Sequence, residues 1–266
     1  MTGVARIAEA FAAREGRAAL MPYVMGGFPD LDASRRIGLA CAEAGADLVE
    51  LGVPFSDPLA DGPVIHEAGT AALRGGATVR GVLGVCESLA ARVPVVLMCY
   101  ANLVLNRGPE AFAEALRDAG ASGLIVPDLP LEEAPRVLEA CDSAGIALVP
   151  LVAPTTPDER LAQIGSRARG FLYTVAVVGT TGERAELADG VGEVIARAHA
   201  HTEVPVALGF GISTPEHAAA AADAGADGVI VASRLVRAAA EAAAEGADPA
   251  DVVRDLVGAL AAGLRL

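Results

Sequence analysis

Two carboxylates, two glycine-bearing turns and one helix N-terminus are the parts of this chain best suited to chemistry. Glu50 closes an otherwise apolar run, DLVELG (47–52), where a strand should end. A carboxylate among Leu and Val side chains loses solvation, so its pKa rises and it becomes a proton donor near neutral pH. A buried ion pair is the structural alternative. The next segment, GVPFSDPLADGP (52–63), sets three prolines, two glycines, Ser56, Asp57 and Asp61 within twelve positions. Prolines fix such a path in advance, which suits a loop that must present Asp61 to a substrate reproducibly. Asp57 taken alone reads as a solvated acid of a long turn. Later come Gly179-Thr180-Thr181-Gly182, Gly209-Phe210-Gly211-Ile212-Ser213, and Ala232-Ser233 at the head of SRLVRAAAEAAAE. Backbone N–H groups at glycine turns and at a helix N-terminus bind phosphate without needing a basic side chain.

The elements that must hold these residues follow from an internal repeat. AEAGADLVELG (42–52), RDAGASGLIVPD (117–128), DSAGIALVPLVAP (142–154) and ADAGADGVIVAS (222–233) each read as a helix end, a glycine stop and a strand. Five residues past the stops Gly45, Gly120, Gly145 and Gly225 stand Glu50, Ile125, Pro150 and Ile230, so Glu50 is the polar exception. Asp47 and Asp227, at their strand starts, look unremarkable. Four further apolar runs, at 18–25, 93–100, 170–178 and 204–210, bring the strand count to eight, alternating with helical patterns. That arithmetic predicts an eightfold β/α barrel, whose active site lies at the strand carboxyl ends and whose phosphate site follows strands seven and eight. A doubly wound open sheet is the alternative; it normally has fewer strands, and the Gly209–Gly211 turn lacks the third glycine of a dinucleotide fingerprint. We expect one domain over residues 1–266, with the segment before residue 16 as an extra helix covering the barrel's bottom.

Composition removes several kinds of chemistry. All twenty basic residues are arginine, so a lysine Schiff base, covalently held pyridoxal phosphate and a P-loop are excluded. Thirty-four acids against twenty bases disfavour nucleic acid. Cys41, Cys86, Cys99 and Cys141 form no CxxC and read as buried small hydrophobes. His199 and His201 suit a solvated helix end better than a metal site, and no metal is expected. No run approaches a membrane span, and the first residues lack the pattern of a secretory signal, so a cytoplasmic location is expected.

ELGVPFSDPLADGP, with PYVMGGFPD before it and VPDLP, APTTP, GTTG and GFGIS after it, resembles the tryptophan synthase alpha subunit family from about residue 5 onward. The resemblance implies an eightfold β/α barrel that cleaves indole-3-glycerol phosphate to indole and glyceraldehyde 3-phosphate, a carbon–carbon lyase reaction. It also implies a beta subunit as partner, in an α2β2 assembly, with pyridoxal phosphate on that partner and no cofactor on this chain. By the same resemblance Glu50 and Asp61 are catalytic. Tyr173, Phe210, Tyr100 and Thr181 meet substrate, and Gly182, Gly211, Ala232 and Ser233 hold its phosphate. Asn102 matches the family's third strand end and Asp128 its fourth. The sequence departs from the family at Met25-Gly26, where Thr-Ala is expected, at Ala176-Val177 for Ser-Arg, and at Ala232 for glycine. Two other readings share these features: a phosphate-binding barrel isomerase, and a non-catalytic regulatory partner of a beta-type subunit. Pro58, Leu59, Leu103 and Val104 serve either as partner surface or as loop packing.

Overall fold

The computed structural model describes residues 1–14, 16–175, 190–209 and 211–265. Among them run nine strands: β1 (Ala19–Met25), β2 (Val49–Gly52), β3 (Val95–Met98), β4 (Gly123–Ile125), β5 (Ala147–Val149), β6 (Leu151–Val152), β7 (Leu172–Val175), β8 (Val206–Gly209) and β9 (Gly228–Val231). Twelve helices accompany them. In the first half are α1 (Gly3–Ala12), α2 (Leu31–Glu43), α3 (Pro63–Arg74), α4 (Val79–Ala90), α5 (Ala101–Arg107) and α6 (Pro109–Asp118). In the second are α7 (Ala134–Ala144), α8 (Asp158–Arg167), α9 (Val191–His199), α10 (Pro215–Asp223), α11 (Ser233–Glu245) and α12 (Pro249–Gly263).

Every strand pair is parallel, in the order β5-β4-β3-β2-β1-β9-β8-β7-β6. The sheet's two ends, β5 and β6, are neighbours in sequence, so it curls into a nearly closed barrel. The ninth strand arises because Pro150 divides the fifth apolar run. Proline has no N–H to give a ladder, although its carbonyl still accepts from Tyr173 N at 3.0 Å. The long interval after β2 holds two helices, α3 and α4. Gly45, Gly120, Gly145 and Gly225 all adopt positive φ, between 74° and 105°, where glycine carries no Cβ penalty.

Both faces of the strands are buried, which is why they read as continuous apolar runs. Alternate residues such as Leu51, Leu97, Leu124, Leu172 and Val229 face the helices. The others turn inward: Met21, Leu48, Val96, Ile125, Val149, Tyr173, Ala207 and Ile230 share one cluster. Ile7 and Phe11 of α1 join that interior cluster, at 0% and 5% exposure, so α1 seals the barrel's bottom. Phe11 meets Phe171 with ring centroids 5.9 Å apart.

Asp47 and Asp227 do more than their sequence context indicated. Asp47 accepts from Leu20 N at 2.8 Å and from Arg17 at 2.7 and 2.8 Å. Asp227 accepts from Val206 N at 2.9 Å and from Arg14 at 2.6 Å. Each repeat-borne aspartate thus ties a neighbouring strand to the segment between α1 and β1. All four cysteines are buried free thiols, and burial pushes Cys41, Cys86 and Cys141 up to about 12.

Ile7→Ala should remove about 2–5 kcal/mol of stability through the cavity it leaves under the barrel, read as a lower urea midpoint. A loss within about 0.5 kcal/mol, the scale of an exposed-site change, would show that α1 does not seal the bottom.

Candidate active site

Register alone brings the first carboxylate to the centre of the barrel mouth. Glu50 pairs with Tyr23 of β1 on one side and Val96 of β3 on the other. It lies on the same face as the inward-pointing Leu48, two residues earlier. It is 2% exposed, and its Oε2 has no hydrogen-bond partner among the described residues. Burial, with a smaller contribution from the nearby Asp61 charge, pushes its pKa up to about 8. Near neutral pH the group is therefore largely a neutral acid, able to give a proton.

Asp61 occupies a different setting. The loop that carries it is fastened by Tyr100, whose hydroxyl accepts from Ala60 N at 3.0 Å and donates to Asp61 Oδ1 at 2.9 Å. Phe55 of the same loop stacks on Tyr100 with centroids 5.3 Å apart. Asp61 is half-buried. Burial raises its pKa, while the Tyr100 hydrogen bond and the His66 charge pull it back. The two carboxyl groups are close enough to feel one another, yet only Glu50 is stripped of water. Asp57 is exposed and bonded to Ser56, as an ordinary turn acid.

Two phenols border the acid. Tyr173 is inward-facing and 4% exposed, with its pKa driven up by burial and by Glu50. Its hydroxyl overlies Gly209, and the Tyr23 hydroxyl likewise overlies Gly52; a methyl on either glycine would collide with the phenol above it. Tyr23 was missed in the sequence reading. The available signal was a polar-tipped ring inside a fully apolar strand, PYVM.

Tyr100 proves to be the anchor of the Asp61 loop. Asp128 Oδ1 accepts from Ala101 N at 2.8 Å, fixing α5 to the end of β4. Asn102 is exposed. Gly26 departs from alanine for a visible reason: a Cβ there would stand 2.7 Å from Val82 Cγ1 and 2.8 Å from Gly52 O. Met25 is buried against Tyr23, Ile65, Ala68 and Val236. Val104 is buried and Leu59 is 78% exposed, so the first is loop packing and the second is free surface.

Toward the phosphate end, Gly211 follows β8 with φ 85°, and Ala232 caps α11, which Ser233 opens with no side-chain cap. Phe210, Thr181, Gly182, Ala176 and Val177 lie outside the described residues. No group of three or more His, Cys, Asp or Glu side chains fit for a metal occurs among the described residues. A separate 210 Å³ cavity lies between α7 and α8, walled by Leu129, Leu138, Leu148 and Ile164; neither carboxylate lines it.

A family model described as tryptophan synthase alpha chain matches residues 10–264. The tryptophan synthase alpha chain of Synechococcus sp. (strain CC9902) is 50% identical over 226 residues, 84% of each chain. That of Gloeobacter violaceus is 48% identical over 244 residues, 90% of this chain and 88% of the relative. Among solved structures, a chain of Mycobacterium tuberculosis tryptophan synthase superposes with a TM-score of 0.90 at 41% identity, covering 98% of both. A chain of the Pyrococcus furiosus tryptophan synthase α2β2 complex gives 0.84 at 33% identity, covering 92% of this chain and 98% of that one.

The buried acid makes a prediction about stability. Between its ordinary value of 4.5 and about 8, an unfolded chain ionises Glu50 while the folded chain keeps it protonated. Its contribution is therefore fully present below pH 4.5 and is lost as pH rises through about 8. Glu50→Gln removes that loss, so urea midpoints at about pH 5, 7 and 9 should favour the variant by a widening margin. A margin independent of pH would mean that Glu50 titrates normally.

Proposed function

The chain belongs to the tryptophan synthase alpha chain family, and from that membership we propose how its own residues carry out the family's reaction. That reaction is the cleavage of indole-3-glycerol phosphate to indole and glyceraldehyde 3-phosphate, a lyase step of tryptophan biosynthesis. Breaking the carbon–carbon bond requires an electron sink. With no lysine to form an imine, the indole ring of the substrate is the natural sink. In our reading Glu50 gives its proton to indole C3, producing an iminium-like tautomer. The resulting Glu50 carboxylate takes the proton of the glycerol hydroxyl, the C–C pair flows into the ring, and Glu50 is again the neutral acid. Asp61 accepts the indole N–H and stabilises the positive charge that develops there. The observation that carries this reading is the contrast between the two carboxyls: one dry, with its Oε2 unpartnered among the described residues and its pKa pushed up by burial, the other half-buried and oriented by Tyr100.

Tyr173 and Phe210 border the indole, and Tyr100 acts on substrate through Asp61. Gly211, Ala232, Ser233 and Gly182 give N–H groups to the phosphate, and Thr181 meets the substrate. The Ala232 methyl is the departure nearest that phosphate. The partner is a beta subunit in an α2β2 assembly, which receives the indole and carries the pyridoxal phosphate; this chain has no lysine side chain to hold that cofactor as an imine. Leu59 and Leu105, 78% and 57% exposed beside the barrel mouth, are the apolar residues offered to that partner. The enzyme works in the cytoplasm; no described helix is long and apolar enough to cross a membrane.

Purified chain should release indole from indole-3-glycerol phosphate, and faster when a beta subunit is added. Glu50→Gln should lower the rate by about 10²–10⁴-fold, the usual worth of a general acid–base group, with the fold intact by circular dichroism. A Glu50→Gln variant working at near-normal rate would remove Glu50 from the chemistry. Beta-subunit binding without indole release would favour the regulatory-partner reading.

A further inference from the structure

We propose that the Tyr23 hydroxyl is a positioning group for Glu50, resting against Met25 Sδ while the carboxyl is neutral and donating a hydrogen bond to Glu50 Oε2 once the carboxyl has given up its proton. The inference rests on Glu50 being the acid of the lyase reaction. Four observations support it. Tyr23 and Glu50 are register partners on adjacent strands, both buried at the barrel mouth. The phenol oxygen occupies the space above Gly52, the next inward position after Glu50 on β2, and residues two apart on a strand are separated by only about 6.6 Å. Among the described residues, Glu50 Oε2 has no hydrogen-bond partner. The Tyr23 hydroxyl, for its part, meets Met25 Sδ at 3.9 Å, and a thioether is a weak acceptor that is given up at little cost.

Tyr23 and the three groups around this pair come from four parts of the mouth. Tyr23 stands on β1, Asp61 on the loop after β2, Tyr100 at the end of β3 and Tyr173 on β7. Burial first, then the Asp61 charge and after it those of Glu50, Tyr100 and Tyr173, push the Tyr23 pKa up, so the phenol stays protonated and able to donate. Tyr173 senses Glu50 as well and is the competing donor. The catalytic cycle creates a Glu50 carboxylate in a dry pocket, where an unpartnered charge is costly. A donor that engages only the ionised form lowers that cost without weakening the acid's first step. Met25, which stands where the family pattern has threonine, supplies the resting contact.

The test is a pH titration of the Glu50 carboxyl by NMR of side-chain ¹³C-labelled, substrate-free protein, with Glu50→Gln assigning the signal. Tyr23→Phe keeps the ring and removes one oxygen. It should raise the Glu50 midpoint by about 1–2 pH units, the worth of one hydrogen bond to a charged group. The pH limb of kcat for indole release should move with it, while KM changes little. Titration curves that superimpose for wild type and Tyr23→Phe overturn the inference, as does a shift produced only by Tyr173→Phe. Because the titration needs no substrate, it stands even where the wild-type chain releases no indole, a result that would count against the lyase reading instead.

Discussion

A carboxyl group on the dry inner face of a β/α barrel is the constraint on which this structure turns. Transferring an ionised carboxylate into such surroundings costs several kcal/mol unless it is paired, and among the described residues no cation forms an ion pair with Glu50. The protein keeps the group neutral instead. It can do so because the rest of the barrel is an ordinary, well-filled interior: α1 closes the bottom with Ile7 and Phe11, and inward-facing aliphatic residues fill the middle. Only the top is left with a polar function. The Asp47 and Asp227 clips, which join neighbouring strands near the bottom, secure the end of the barrel opposite the chemistry.

Placing two carboxyls in unequal environments is a general means of assigning acid and base roles at one pH. Here the inequality comes from backbone geometry. Glu50 is fixed by strand register and shares its face with Tyr23 and Tyr173, whose hydroxyls overlie glycines. Asp61 sits on a proline-rich loop whose position depends on Tyr100, through one stacked ring and two hydrogen bonds. In the mechanism proposed here, a lyase built in this way would need neither a lysine nor a metal in its own chain, because protonating the substrate would create the electron sink.

Much of this arrangement was legible in the sequence, because the features involved are local. Helix-stop glycines mark themselves by the Ala-Gly pattern, and a polar residue at a position where its repeat siblings are apolar stands out by simple counting. Glu50 was found that way, and Asp61 by the stiffness of its loop. The rest depends on contacts between segments far apart in the chain. Tyr23 gains its interest from pairing with residue 50, and Tyr100 becomes a loop anchor only once residues 60 and 61 are folded over it. Asp47 and Asp227 look like plain strand starters until Arg17 and Arg14 reach them. Gly26 replaces alanine because Val82, more than fifty residues away in the chain, occupies the space a methyl would take. Pro150 was counted within one strand; its missing N–H splits that strand in two.

The central claim is that burial keeps Glu50 protonated at neutral pH. Infrared difference spectroscopy between the wild-type chain and Glu50→Gln tests it most directly, since a protonated carboxyl and a carboxylate absorb in separate regions. The account predicts a protonated-carboxyl band at neutral pH that is absent from the variant and that disappears as pH passes about 8. A carboxylate band already present at neutral pH, titrating near the ordinary value of 4.5, would contradict it.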